Sequence, residues 1–223
     1  MNAEKTRTPA PRVKVCGLTS LANALQCAEA GVDLLGFNFY PESKRFIPFP
    51  DATHWLGELA GTVERVGLFV NAGRDEVLRV MESGLLDTAQ FHGDETAEDM
   101  AFYSGRGIRF FKAIRVRGEE SVRDVGAFST RRIVLDAFSA EGYGGTGEKF
   151  DWTLARRVVA SHPELEVMLS GGLDPANVAE AVQVVGPAIV DVASGVESTP
   201  GVKDIAKVVA FVRAAKALDL PED

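Results

Sequence analysis

Two glycine-containing segments, each led by a serine, follow the last two predicted strands of the chain. The first is Ser170-Gly171-Gly172 and the second is Ser194-Gly195. Glycine leaves backbone N–H groups unobstructed, and such groups near a helix N-terminus bind phosphate through hydrogen bonds and the helix dipole. Either segment alone is equally consistent with a tight turn, because glycine tolerates many backbone conformations. Together they predict a phosphate site formed by Gly171, Gly172, Ser194 and Gly195.

Two side chains that can exchange protons, the thiol of Cys16 and the carboxyl of Asp136, each stand at the end of a predicted strand. Each also has a purely structural interpretation. A single cysteine is most often a buried apolar thiol, and an aspartate after a strand often stabilises the next loop through local hydrogen bonds. The second cysteine, Cys27, falls inside a predicted helix and is expected to pack in the core. Cys16 and Asp136 are therefore candidates for acid–base chemistry only if the fold brings them to one cavity.

Eight short apolar runs predict the strands that would carry these side chains. They cover residues 13–16, 33–37, 63–70, 86–91, 108–114, 131–136, 165–169 and 188–192. Helical spacing of apolar residues begins near Leu21, Asp51, Arg74, Thr96, Glu119, Asp151, Pro175 and Val202. Strict alternation of strand and helix predicts parallel pairing, and eight such units can close a single (β/α)8 TIM barrel of the α/β class.

No break in composition interrupts this series, so we expect one barrel domain over residues 13–219, preceded by a disordered tail at 1–12. The longest irregular segments, 38–49 and 137–150, follow the second and sixth predicted strands. Both would lie at the C-terminal end of the barrel, where the active sites of this fold are found. Loops of this length in a compact domain are usually functional, so the site is expected at that end.

Six motifs, in order along the chain, resemble those of the phosphoribosylanthranilate isomerase family, and the match runs from Lys14 to about Val212. They occupy residues 14–19, 36–45, 90–95, 135–136 with 144–147, 170–178 and 191–200. The chain departs from the family pattern at Asn38, where an apolar residue such as valine is expected, and at Phe91, where leucine is more usual. Segment 1–12 also extends beyond the usual start of the family.

The resemblance implies an Amadori rearrangement in tryptophan biosynthesis, in which N-(5-phosphoribosyl)anthranilate, an aminoaldose, becomes an aminoketose. This reaction needs an acid for the leaving ring oxygen and a base for the C2′ proton of the ribose. The resemblance assigns the base to Cys16, the acid to Asp136, and the grip on the anthranilate carboxylate to Arg45, whose planar guanidinium suits that partner. It implies no cofactor.

Residues close to Cys16 and Arg45 in the sequence are candidates for supporting roles in the site. Lys14 lies two residues before Cys16 and so can share its strand face, where an ammonium would favour the thiolate. The aromatic rings of Phe37, Phe39 and Tyr40 offer apolar surface for the anthranilate ring, although the alternation of a strand lets only some of them face inward. Lys44, beside Arg45, is expected to be exposed.

Gln90 and His92 are further candidates for contact with the substrate, and they fit a structural polar layer inside the barrel equally well. Gly145 is a candidate because its glycine-rich loop can fold over the site as a flap. His54 and His162 lack convergent partners and are expected at the surface. No histidines and carboxylates have the spacing of metal ligands, so no metal is expected.

Composition limits the partners. The formal net charge of -8 argues against binding to nucleic acid or to an anionic membrane surface. Residues 1–12 lack the apolar segment of a secretion signal, and no later run is long enough to span a bilayer. Two cysteines cannot form a disulfide framework and fit a reducing cytoplasm. The expected partner is the small-molecule substrate alone, with the chain a monomer or a homodimer.

Two kinds of alternative stay open. Another phosphosugar barrel, such as the aminoaldose isomerase of histidine biosynthesis, would be expected to carry a carboxylate in place of Cys16, and indoleglycerol-phosphate synthase would be expected to use a lysine as general acid. A non-catalytic barrel that has kept phosphate binding would be expected to have lost Cys16, Asp136 or Arg45, because fold alone does not establish function.

Overall fold

The computed structural model describes residues 9–137 and 151–217 of the 223-residue chain. Eight parallel strands close into a barrel in chain order, with β1 paired to both β2 and β8. The strands are β1 (Arg12–Cys16), β2 (Leu34–Asn38), β3 (Glu64–Phe69), β4 (Thr88–Phe91), β5 (Phe110–Val116), β6 (Arg132–Ala137), β7 (Glu166–Leu169) and β8 (Ile189–Val192). The predicted barrel is confirmed, and each of its eight strands overlaps the apolar run that predicted it.

Seven α-helices lie among the described residues, and all but the last lie between barrel strands. They are α1 (Leu21–Glu29), α2 (Phe49–Ala52), α3 (Arg74–Glu82), α4 (Ala97–Ser104), α5 (Trp152–Ser161), α6 (Val178–Val185) and α7 (Ile205–Lys216). Side-chain caps fix several starts, because the first N–H groups of a helix have no partner within it. The hydroxyl of Ser20 accepts from the N–H of Asn23, and Thr96 and Asp99 form a reciprocal capping box.

Three helix predictions were wrong in detail. The segment from Glu119 forms two short 3-10 helices, Glu119–Val122 and Val125–Phe128, because glycines before and within it weaken a continuous helix. The helix expected near Asp51 is the single turn α2, which follows Pro48. Val202 and Lys203 form a strand, β10 (Val202–Lys203), paired antiparallel with β9 (Glu197–Thr199), so the last helix begins only after the cap at Asp204.

The strand alternation separates two apolar layers. Inward-facing side chains form a small cluster that fills the barrel: Leu34, Val66, Phe111, Ala113, Val134, Met168 and Ile189. Outward-facing residues such as Val15, Leu35 and Ile133 belong to the larger cluster between the barrel and the helices. The barrel interior is therefore a packed core, and a ligand can enter only at an end of the strands.

The N-terminal end of the barrel is closed by a ring of four charged side chains, which we call the ionic ring: Arg12, Glu64, Arg132 and Glu166. Arg132 lies 2.6 Å from Glu64 and 2.7 Å from Glu166. Arg12 lies 3.1 Å from Glu64 and also pairs with Glu166. Because this end is filled by paired charges, the polar groups at the opposite end of the strands are the ones available for a ligand.

Candidate active site

Cys16 ends β1 on its inward face and is 7% exposed, just above Lys14. A Cβ added to Gly36 on neighbouring β2 would lie 2.7 Å from the Cys16 Sγ and 3.1 Å from the Lys14 Nζ. The glycine therefore makes room for both groups, and the ammonium and the thiol are close neighbours. The expectation that Lys14 shares the strand face of Cys16 is met by this arrangement.

Lys14 is fully buried, and its Nζ lies 3.0 Å from the Oδ1 of Asp191 on β8. Although burial opposes a charge there, Asp191 and Cys16 hold the pKa of Lys14 above its ordinary value. The Ser170 hydroxyl donates to the other Asp191 oxygen at 3.1 Å. Sequence reasoning gave Asp191 no role, although a charged residue between apolar neighbours in a short strand is a signal that could have identified it.

Asp136 lies on β6, is 3% exposed, and contacts the Nε2 of His92 through its Oδ2 at 2.9 Å. The Nδ1 of His92 lies 2.9 Å from the amide nitrogen of Gln90. Within the described residues the amide oxygen of Gln90 is buried without a hydrogen-bond partner. The three side chains form a buried polar chain that ends on the Asp136 carboxyl.

The two glycine segments approach each other after β7 and β8. A Cβ added to Gly195 would lie only 2.1 Å from the carbonyl oxygen of Leu173, so the segments touch at this point. Gly172 has a positive φ of 64°, and its carbonyl accepts from the Asn177 side chain at 2.9 Å. Ser194 begins a short 3-10 helix, Ser194–Val196. Converging loops with small side chains are suited to an anion.

Gly171 has a second constraint beyond its positive φ of 91°. A Cβ there would lie 2.6 Å from the backbone nitrogen of Ala137 and 3.1 Å from the Oδ1 of Asp136. The glycine therefore lets the β7 loop lie directly against the Asp136 carboxyl, and one loop joins the predicted phosphate site to the predicted acid.

Arg45 lies in the loop after β2, and its guanidinium is paired with a residue that sequence reasoning left without a role. Its Nε and Nη2 donate to the two carboxylate oxygens of Glu197, both at 2.8 Å. The hydrogen bonds that Arg45 donates to Glu197 raise the pKa of Arg45. Although burial opposes it, Arg45 and Lys203 hold the pKa of Glu197 below its ordinary value.

Asn38, the departure from the family pattern, stiffens this loop. Its Oδ1 accepts from the N–H of Tyr40 at 2.9 Å, and its Nδ2 donates to the Ser43 hydroxyl at 2.9 Å. The same hydroxyl accepts from the N–H of Arg45 at 3.1 Å. Asn38 therefore helps to fix the backbone from which Arg45 projects, a role that an apolar residue would not fill.

The aromatic residues near this loop divide as strand alternation requires. Phe37 packs edge-on against Trp55 with ring centroids 5.6 Å apart, and Phe39 packs against Phe49 at the same separation. Both rings belong to the outer core. Only Tyr40 packs against the small cluster that contains Cys16, so it is the one ring of the three at the mouth of the barrel.

The remaining expectations concern single residues. Cys27 is fully buried in the core, where desolvation raises the pKa of its thiol to about 11. Lys44 and His54 are exposed, and His162 is partly exposed with Glu164 3.2 Å away. Gly145 lies outside the described residues.

Two features are absent from residues 9–137 and 151–217. No group of three or more histidine, cysteine, aspartate or glutamate side chains there could hold a metal ion. Nor does that part of the chain contain a helix with the length and apolar character to cross a membrane.

Comparison with known proteins finds similarity to one family over nearly the whole chain. A model of the family described as N-(5'phosphoribosyl)anthranilate (PRA) isomerase matches residues 13–214. An N-(5'-phosphoribosyl)anthranilate isomerase of Myxococcus xanthus is 45% identical over 215 residues, which cover 95% of this chain and 99% of the relative.

Solved structures are similar to the same extent. Phosphoribosyl anthranilate isomerase from Thermotoga maritima superposes with a TM-score of 0.84 at 39% identity, covering 93% of this chain and 99% of the other. A second structure of such an enzyme, in complex with reduced 1-(o-carboxyphenylamino)-1-deoxyribulose 5-phosphate, has a TM-score of 0.80 at 38% identity with the same coverage. The barrel, the order of its motifs and these similarities agree, and the chain belongs to the phosphoribosylanthranilate isomerase family.

Proposed function

We propose that Cys16 is the general base and Asp136 the general acid of the aldose-to-ketose isomerisation that this family performs on N-(5-phosphoribosyl)anthranilate. Asp136 donates a proton to the ribose ring oxygen as the bond from that oxygen to C1′ breaks, and the anthranilate nitrogen and C1′ become an iminium. The Cys16 thiolate then takes the C2′ proton, which gives an enolamine. Protonation at C1′ and loss of the C2′ hydroxyl proton complete the aminoketose.

The order of strands around the barrel is the observation that carries this proposal. β7 and β8 lie between β6, which bears Asp136, and β1, which bears Cys16. The predicted phosphate loops follow β7 and β8, so a ribose phosphate anchored there has the acid on one side and the base on the other. This arrangement holds the reacting carbon between two groups of opposite function.

The neighbours of both groups suit these roles. The buried Nζ of Lys14 lies beside the Sγ of Cys16 at Gly36, and a nearby ammonium is the usual neighbour of a reactive thiolate. His92 and Gln90 support the Asp136 carboxyl from within the barrel rather than from the solvent side. We assign both to the orientation of Asp136 and not to direct contact with the sugar.

Removal of either proton-transfer group tests the proposal. We expect Cys16→Ser and Asp136→Asn each to lower kcat by about a hundredfold or more, the usual scale of general acid–base catalysis. Turnover is followed by the loss of substrate fluorescence with freshly generated phosphoribosylanthranilate. Cys27→Ser is the matched control, because Cys27 is packed in the core. A Cys16→Ser enzyme of near wild-type rate contradicts the proposed base.

The phosphate site has its own test. Because a Cβ at Gly195 would meet the Leu173 carbonyl at 2.1 Å, we expect Gly195→Ala to separate the two loops. The phosphate is held alike in ground and transition states, so KM should rise with little change in kcat. Gly126→Ala is the control, since a Cβ there meets nothing within 4 Å. A fall in kcat alone would count against phosphate binding at this place.

Two broader expectations accompany this function. The free thiols of Cys16 and Cys27 support a reducing compartment such as the cytoplasm. Cys16 and Asp136 lie at the same end of a single barrel, so we expect a monomer to be active, although a relative from Thermotoga maritima is dimeric. Activity that persists when sedimentation shows a single chain supports this, and activity lost on dilution to monomers opposes it.

A further inference from the structure

The guanidinium of Arg45 has more hydrogen-bond donors than its protein partner uses. It carries five N–H groups, and Glu197 accepts from Nε and from one N–H of Nη2. Among the described residues, no acceptor lies on Nη1. The end of the guanidinium formed by Nη1 and the second N–H of Nη2 is therefore unfilled, and it retains the fork geometry that matches a carboxylate.

Glu197 is itself held in place from two directions. Its Oε1 accepts from the N–H of Gly201 at 3.0 Å and from the Nζ of Lys203 at 2.8 Å. Lys203 also donates to the carbonyls of Cys16 at 2.5 Å and Ala193 at 3.2 Å. Three acceptors around one buried nitrogen match the three N–H bonds of an ammonium. Although burial lowers the pKa of Lys203, the contact with Glu197 opposes that effect.

Gly17 lies directly against the side chain of Arg45. It follows Cys16 with a φ of 82°, and a Cβ added there would lie 2.2 Å from the Cδ of Arg45. The arginine side chain therefore runs directly across the glycine, next to the end of β1. This contact explains a glycine at that position by close approach as well as by backbone conformation.

We propose that Glu197 and Lys203 are positioning residues that determine specificity for the anthranilate carboxylate. Glu197 occupies one edge of Arg45 and so aims the free Nη1–Nη2 end at the substrate, while Lys203 leaves the cluster of three charges net positive. Arg45 thus holds two carboxylates at once, one from the protein on its side and one from the substrate on its end. This inference rests on the proposed role of Arg45 in substrate binding.

The charge balance is what makes such sharing workable. An Arg45–Glu197 pair alone is neutral and would offer a second carboxylate little net attraction. Lys203 restores one positive charge, and its bonds to the Cys16 and Ala193 carbonyls tie that charge to the ends of β1 and β8. The hairpin of β9 and β10, which carries Glu197 and Lys203, is therefore a specificity element of the site.

The decisive variant removes the anchor without changing the net charge. Glu197→Gln with Lys203→Met leaves Arg45 as the single charge of the cluster. The ligands are reduced 1-(o-carboxyphenylamino)-1-deoxyribulose 5-phosphate and the same compound made from aniline, which lacks the carboxylate. We expect the preference for the carboxylate ligand, measured as the ratio of dissociation constants by calorimetry, to fall about tenfold or more as Arg45 loses its preorganisation. An unchanged or increased preference overturns the inference.

A second comparison guards against a variant that fails to fold. Gly17→Ala displaces Arg45, whereas Gly61→Ala imposes a similar backbone strain at φ 77° with nothing within 4 Å. We expect the preference for the carboxylate ligand to fall in the first and to stay in the second; equal preference in both contradicts the inference.

Arg45→Ala separates this inference from the proposed function. If that variant retains the preference, Arg45 is not the carboxylate grip and the proposed function fails at this point. If it loses the preference while the Glu197→Gln, Lys203→Met enzyme keeps it, only the positioning role is wrong.

Discussion

Replacement of the buried Lys14–Asp191 pair separates what the pair does for stability from what Lys14 does for Cys16. Asp191 is only 5% exposed in the wild type. Lys14→Met removes its ammonium partner and leaves the Ser170 hydroxyl as its remaining side-chain partner among the described residues. Breaking a buried ion pair on one side typically costs about 3–5 kcal/mol. Removing both charges, with Asp191→Asn added, should recover a large part of that loss because no uncompensated charge remains.

The effect on Cys16 follows from distance. The Lys14 Nζ and Cys16 Sγ both lie beside Gly36, at most about 6 Å apart. Two unit charges at that separation attract by roughly 3 kcal/mol at an effective dielectric constant near 20. The opposite charge of Asp191 offsets part of this attraction. We therefore expect Cys16 in the double variant to react about tenfold or more slowly with iodoacetamide at neutral pH.

Two measurements check this prediction. Urea unfolding gives the stability of the wild type, the single variant and the double variant, and alkylation followed by mass spectrometry gives the rate at Cys16. Cys27 is a silent background because burial raises its pKa to about 11, and Cys16→Ser is the blank. If the double variant is nearly as stable as the wild type and its Cys16 is alkylated at the wild-type rate, Lys14 does not stabilise the thiolate and the reasoning is refuted.

Three other changes have distinct expected outcomes. Although burial opposes it, Arg132 holds the pKa of Glu64 below its ordinary value, so Glu64 stabilises the fold above the ordinary carboxyl pKa and ceases to do so as pH falls through the depressed one. Glu64→Gln should therefore cost about 2 kcal/mol at neutral pH, and the difference from wild type in urea unfolding should shrink as pH falls below the ordinary carboxyl pKa and vanish only below the depressed pKa. Gly171→Ala should lower kcat about tenfold or more because its Cβ would press on the Asp136 carboxyl; an unchanged kcat would show that the contact is harmless. His92→Leu should lower kcat more than His92→Gln, whose amide can still hold Asp136, and equal kcat values for the two would argue against an orienting role.

The barrel could be predicted from sequence because its signal is local and repeated. Each strand is a short apolar run, strands and helices alternate, and eight repetitions leave few other topologies. The predictions that failed lie where local signals conflict. Val202 and Lys203 form a strand because they pair with the segment that begins at Glu197. The spacing of apolar residues along the chain does not reveal such pairing.

Site residues divide in the same way. Cys16, Asp136 and Arg45 stand in motifs or at strand ends and were found from the sequence as candidates. Glu197 and Lys203 were not assigned, because their importance arises from contacts with Arg45 and Cys16 that are 152 and 187 residues away in the chain. Contacts between segments so far apart leave no pattern in either segment from which they could be predicted.

The ionic ring has a consequence for the two halves of the molecule. The first four strands contribute Arg12 and Glu64, and the last four contribute Arg132 and Glu166. Each half therefore carries one charge of each sign and one ion pair within itself, Arg12 with Glu64 and Arg132 with Glu166.

Two further pairs, Arg12 with Glu166 and Arg132 with Glu64, join the halves. Within the ring, therefore, each half supplies its own counter-charge. The buried Lys14–Asp191 pair differs, because Lys14 belongs to the first half and Asp191 to the last, so β1 and β8 must meet before either charge is neutralised. In the closed barrel the four side chains of the ring keep the pairs within each half and add the two pairs between the halves. The ring thus joins the halves at the N-terminal end of the strands, and the Lys14–Asp191 pair joins them inside the barrel.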